Sequence, residues 1–107
     1  MGKAERRKGH DFERKIARRF RELFPESKRG FQTRGGTAEE PDVIAGPFAI
    51  ECKHGKRPNI RAAYEQARSA PGVWPIAITR KDRDVVLVTM GFDDFFDLIA
   101  EWQERGE

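Results

Sequence analysis

The residues of this chain whose types and spacing suit chemistry are Asp42, Glu51 and Lys53, two carboxylates and an amine close together in sequence. Alternate side chains of a strand point to opposite faces. In Phe48-Ala49-Ile50-Glu51-Cys52-Lys53, therefore, Ala49, Glu51 and Lys53 share one face and Phe48, Ile50 and Cys52 the other. Pro41-Asp42 opens the preceding apolar run Val43-Ile44-Ala45, and Gly46-Pro47 supplies a reversal, so the two segments read as a hairpin in which Asp42 and Glu51 converge. Hard divalent cations take oxygen ligands, and Mg²⁺ uses only one or two protein carboxylates, completing its shell with water and substrate phosphate. A metal so held polarises phosphoryl oxygens and generates hydroxide near neutral pH. Lys53 cannot ligate the metal while protonated, but it would add positive charge where a phosphoryl transition state gathers negative charge, or lower the pKa of the attacking water. Such a trio suits phosphodiester hydrolysis.

These side chains need a scaffold, and the pattern of the chain supplies one. A first helix runs from about Ala4 or Gly9 to Phe24 and stops at Pro25. At about 100° per residue, Phe12, Ile16, Ala17, Phe20, Leu23 and Phe24 fall within one arc of about 140°, and Glu13 lands in its middle. A carboxylate aimed at the core side calls for a cation. Either a basic neighbour at the core margin pairs with Glu13, or Glu13 joins the hairpin's carboxylates around a metal. Lys28 to Thr33 forms a first strand, and Arg34 to Glu40 a loop able to close on a substrate. After the hairpin, His54-Gly55-Lys56-Arg57-Pro58 is a basic turn, and Asn59 caps a helix that runs through Ala70 and ends at Pro71-Gly72. Ile60, Ala63, Tyr64 and Ala67 form its apolar face. Trp74 to Thr79 and Asp84 to Thr89 form a second hairpin about Arg80-Lys81-Asp82-Arg83. The last helix, about Asp93 to Gln103, sets Phe92, Phe95, Phe96, Leu98, Ile99 and Trp102 opposite Asp93, Asp94, Asp97 and Glu101. Its wide aromatic side suits packing against a second copy.

With 107 residues the chain accommodates a single domain, residues 1–107, with one modest core. No apolar run approaches membrane-spanning length, and the charged start Met1-Gly2-Lys3-Ala4-Glu5-Arg6 lacks the apolar core of a secretion signal. The expectation is an intracellular, cytoplasmic protein with no membrane partner. The single cysteine, Cys52, excludes an internal disulfide and a Cys-rich zinc site. The net charge of +3 hides an asymmetry: Met1 to Gly36 carries 12 Lys/Arg against 5 Asp/Glu, and Asp82 to Glu107 carries 2 against 8. A polyanion would meet the front of the molecule, unless the basic helix is simply a solvated face. Lys8, Arg29, Arg34, Lys56 and Arg57 flank the site and would make DNA binding salt-sensitive.

The stretches Gly9-His10-Asp11-Phe12-Glu13-Arg14, Pro41-Asp42-Val43-Ile44-Ala45-Gly46, Ile50-Glu51-Cys52-Lys53 and Tyr64-Glu65-Gln66 follow one another on elements ordered α-β-β-β-α-β-β-α. In that order and placement the chain resembles the PD-(D/E)XK nuclease superfamily and, within it, archaeal-type Holliday junction resolvases and their phage counterparts. The resemblance implies an α/β, restriction-endonuclease-like fold with a central five-stranded mixed sheet flanked by helices. It implies a Mg²⁺-dependent endonuclease, with Mn²⁺ a substitute, that resolves four-way DNA junctions by paired nicks as a homodimer. Under it, Glu13, Asp42 and Glu51 bind the metal with the Cys52 backbone carbonyl, Lys53 is the catalytic amine, and Gln66 orients water or Lys53. The loop from Arg34 to Glu40 would reach DNA, with Thr37 loosely matching a position filled by a small hydroxyl residue. A phage-encoded enzyme of this kind would act in the host cytoplasm.

Other readings stand beside these. Lys53 could pair with Glu51 or Glu65. His54 faces away from Glu51 and Lys53 and is taken as a surface or DNA-contact residue. Tyr64 and Trp74 pack in the core, Gln66 falls beside the apolar side of its helix, and Cys52 fills the core as a small apolar side chain. The alternative functions are a flap, nicked or duplex endonuclease with the same chemistry, and a non-catalytic DNA-binding module of the same fold.

Overall fold

Phe12, Ile16 and Ala17 recur at helical spacing and are buried, which gives the first helix, α1 (Lys3–Arg21), its inward face. Arg18, Arg19 and Arg21 in its last turn complement the helix dipole. Past Arg21 the Leu23 and Phe24 amides donate to the Phe20 carbonyl, and the Ser27 hydroxyl donates to that of Phe24 at 2.6 Å. The helix thus closes before Pro25, three residues earlier than the pattern suggested, and leaves Leu23 exposed rather than in the apolar arc.

The computed structural model describes residues 3–30, 41–70 and 74–106. After α1 come β1 (Lys28–Arg29), β2 (Val43–Ala45), β3 (Phe48–Gly55), α2 (Ile60–Arg68), β4 (Trp74–Lys81), β5 (Val86–Met90) and α3 (Phe92–Arg105). The order of elements is the expected one, and the molecule is α/β with a five-stranded mixed sheet and three helices. The strands lie side by side in chain order. β3 and β4 are parallel, joined by α2 as the crossover, and the other neighbours are antiparallel. Of the expected first strand, Lys28 and Arg29 pair with Ile44 and Val43, and residues 31–33 lie outside the described residues. The loop from Arg34 to Glu40 and Pro71-Gly72 also lie outside them.

Two layers of side chains sandwich the sheet. On one face Val43, Ala45, Ile50, Cys52, Ile76 and Ile78 meet Phe12, Ile16 and Ala17 of α1, bordered by Phe20, Phe24, Phe48 and Met90. Ile50 and Val43 are wholly buried, each contributing about 1.5–3 kcal/mol by leaving water. On the other face α2 packs against β3 and β4 through Ala63 and Ala67, small enough for close approach, and the Ala62 amide donates to the Asn59 side chain at its start. The β2–β3 reversal needs glycine. Gly46 has φ +54°, and a Cβ there would lie 2.5 Å from the Phe24 ring.

β3 runs two residues beyond Lys53 because its parallel partner continues, His54 opposite Arg80 and Gly55 opposite Lys81. β5 starts at Val86 rather than Asp84, since Asp84 is engaged in the turn, accepting from the Val85 amide through its side chain and from Arg80 Nε through its carbonyl. Trp74 is buried as expected. Tyr64 is only half-buried: it sits at the rim of α2, its hydroxyl reaching toward Gly91, and not in the core. No described helix is long and apolar enough to cross a membrane.

Candidate functional site

Asp42 lies at the entry to β2 and Glu51 in the middle of β3, and the antiparallel register Val43–Ile50 carries the two to the same level of the sheet. Both carboxylates are almost fully covered, at 6% and 3% exposure. Asp42 Oδ2 accepts a hydrogen bond from the Cys52 amide at 2.9 Å, and the Asp42 and Glu51 carboxyl groups hydrogen-bond each other. Burial, then the neighbouring Asp42 charge and that hydrogen bond, push the Glu51 pKa up to about 8, against the opposing pull of Lys53. With its pKa near 8, Glu51 keeps its proton at neutral pH and meets Asp42 as a neutral acid.

Glu13 approaches the same region from α1. Burial and the charge of Asp42 raise its pKa, while Arg29 counters both. Arg29 Nη2 donates to Glu13 Oε1 at 3.0 Å and lies 3.0 Å from His10 Nδ1. The cation that the position of Glu13 demanded is thus supplied within the chain. Arg29, grouped from sequence with the DNA contacts, faces inward from β1, and its buried Nε has no hydrogen-bond partner among the described residues. The Cys52 thiol, in the core as expected, lies beneath all of these groups. Burial raises its pKa, and so do the charges of Asp42, Glu13 and Glu51, opposed by Arg29.

Lys53 extends from the Glu51 face of β3 into solvent, near enough for its charge to act on Glu51. Gln66 is exposed on α2, and Lys56 and Arg57 are exposed in the turn after β3. Arg34 and Thr37 lie outside the described residues. Lys8 donates to Asp82 at 3.1 Å, and His54 Nε2 lies 3.3 Å from the same oxygen. His54 does face away from Glu51 and Lys53, and it is half-buried at the edge of a cleft. Its ring is tucked against Phe12 at 5.2 Å because α1 crosses the end of β3 there, and burial lowers its pKa despite Asp82. Around it, Arg7, Lys8, Lys15 and Arg80 line a cleft of about 320 Å³. Sequence reasoning missed the inward turn of Arg29 and the anchoring role of Asp82. Both depend on contacts between distant segments, and neither left a local signal.

Among the described residues no group of three or more His, Cys, Asp or Glu side chains is arranged to hold a metal. The Asp42–Glu51 pair nevertheless has the donor chemistry a hard cation requires, two carboxyl groups in contact. A residue's N–H and C=O leave a strand on the same side, so the Cys52 carbonyl also faces Asp42. Glu13 could join only by loosening its hold on Arg29. Comparison with protein-family models, with curated proteins and with solved structures gives no match.

Proposed function

We propose that the chain is a metal-dependent endodeoxyribonuclease of the PD-(D/E)XK superfamily, with the restriction-endonuclease-like fold, that resolves four-way DNA junctions by paired nicks as a homodimer in the cytoplasm of a cell or of a phage's host. The observation that carries this is the buried, hydrogen-bonded Asp42–Glu51 pair with Lys53 on the Glu51 face. Holding two acids together out of water is costly, and a fold selected only for packing or phosphate binding has no use for them.

Asp42 and Glu51, with the Cys52 carbonyl and with Glu13 once released from Arg29, are the groups that would hold Mg²⁺ or Mn²⁺. When bound, the ion supplies Lewis-acid polarisation of the phosphodiester and a nucleophilic hydroxide. The chain's own part is electrostatic. The Lys53 ammonium would act where charge builds on the phosphoryl group, and Gln66, exposed on α2, would orient water or Lys53. Lys56 and Arg57, together with the basic cleft about His54, give the backbone of a nucleic acid a cationic track.

One observation favours a second reading. Glu13 is already neutralised by Arg29, as expected of a non-catalytic DNA-binding module. The test is cleavage of a synthetic four-way junction, a flap and a linear duplex, with and without Mg²⁺, by the wild-type chain and by Asp42→Asn. The proposal expects Mg²⁺-dependent symmetric nicks in the junction, and loss of cleavage by at least ~100-fold in the variant while binding survives or tightens. Equal cutting of all three substrates removes junction specificity. Salt-sensitive binding with no cleavage at all selects the non-catalytic module.

A further inference from the structure

On the face of the sheet opposite Glu51 and Lys53, α1 passes over the ends of the two parallel strands and leaves a cleft of about 320 Å³. His54 on β3 and Arg80 on β4 are in register, so their side chains stand next to each other on that face. The helix contributes Arg7, Lys8 and Lys15, which at about 100° per residue share an arc of roughly 100°. Part of this charge is answered within the chain. Lys8 and His54 reach Asp82 at 3.1 and 3.3 Å, and Asp11, at the edge of the cleft, accepts from Arg14 at 2.9 Å. Arg80 donates through Nε to the Asp84 carbonyl, and among the described residues Arg7, Lys15 and Arg80 have no ion pair. The floor has a different character. Phe12 is buried, and the half-buried His54 ring lies against it with centroids 5.2 Å apart.

We propose that this cleft binds one unpaired nucleotide, its base against the His54–Phe12 floor and its phosphate between Arg7, Lys15 and Arg80. Aromatic surface beside guanidinium and ammonium groups is the combination that holds nucleic-acid strands lacking a pairing partner, the ring taking the base and the cations the phosphate. Size agrees. Pockets for small ligands begin at about 300 Å³, so the cleft has room for a single nucleotide and little more. Duplex DNA offers such a cleft phosphates alone, because its bases stay stacked inside the helix. A solvated basic face accounts for the cations of α1 by themselves; it does not account for a further cation and an aromatic ring converging on them from β4 and β3. Although the cleft belongs to the cationic track of the proposed function, nucleotide binding here needs neither a metal nor Asp42 and Glu51, and the two can fail separately.

Isothermal titration calorimetry of the full chain, in chelator so that no strand is cut, tests this with deoxyadenosine monophosphate, deoxyadenosine, inorganic phosphate, a short single strand and the matching duplex. The nucleotide should bind at least ~10-fold more tightly than deoxyadenosine or phosphate. Arg7→Gln and Lys15→Gln should each weaken nucleotide and single-strand binding by ~5-fold or more, and Arg61→Gln, which removes the same charge from α2, should leave both unchanged. All three positions are exposed, so the circular dichroism spectrum should not move. A strand bound more tightly than the mononucleotide identifies the ligand as an unpaired nucleotide within a strand, and equal affinities identify a free nucleotide; either result supports the site. Absence of binding by both overturns it, as does phosphate that binds as well as the nucleotide. Duplex binding that Lys15→Gln weakens as much as strand binding would overturn it too, since the cleft would then touch backbone alone, and so would equal losses in Arg61→Gln and Lys15→Gln.

Discussion

Replacing Glu51 by Gln removes a buried ionisable group while keeping a hydrogen-bond donor for Asp42, and its effect on stability must change with pH. In the folded chain Glu51 keeps its proton up to about pH 8, whereas the ordinary value is 4.5. Between those limits the folded state binds one more proton than the unfolded state, so this group's contribution is fully present below pH 4.5 and is lost as pH rises through 8. The slope is about 1.4 kcal/mol per pH unit at most. With relaxation around the Asp42 pair, a net loss on the order of 2–3 kcal/mol is expected by pH 8.5. Glu51→Gln escapes that loss. Thermal denaturation followed by circular dichroism in chelator should therefore show the two chains melting alike at pH 4.5 and the variant melting on the order of 10 °C higher at pH 8.5. His10 and His54 are common to both chains and cancel in the comparison. Added Mg²⁺ at pH 8.5 should raise the wild-type melting temperature and leave the variant nearly unmoved. A difference that is constant across pH, or a variant less stable at pH 8.5, would refute the account of Asp42 and Glu51 as two acids held together against their repulsion.

Two further outcomes follow from the packing. Gly46→Ala should destabilise the chain by about 1–2 kcal/mol from the positive φ alone, and by more because the Phe24 ring stands where the new methyl must go. A urea midpoint unchanged from wild type would contradict this. The His54 imidazole should titrate below its ordinary value of 6.5, and Asp82→Asn should lower it further, since Asp82 is the group that raises it against burial and the charges of Lys8, Arg80 and Lys15. Proton NMR of the imidazole resonances across pH measures both, and an upward move in the variant would show that Asp82 does not act on His54.

Much of the site could be read from the chain because it rests on local geometry. That Glu51 and Lys53 share a face follows from strand alternation, the burial of Phe12 and Ile16 from helical spacing, and the meeting of Asp42 with Glu51 from a reversal at Gly46-Pro47 short enough to leave one register. Each is a property of a single element or of two neighbours in sequence. The rest was decided between segments far apart. Arg29 turns to Glu13 across 16 positions and Lys8 to Asp82 across 74, and such pairings depend on sheet order and on where α1 crosses the strands, neither of which is encoded locally. His54 shows the boundary well: alternation correctly turned it away from Lys53, and only the helix lying over that end of β3 half-buried it against Phe12. For α3 the amphipathic pattern established that one side avoids water, but periodicity carries no information about what covers it. The tertiary structure showed that nothing among the described residues of a single copy buries that face.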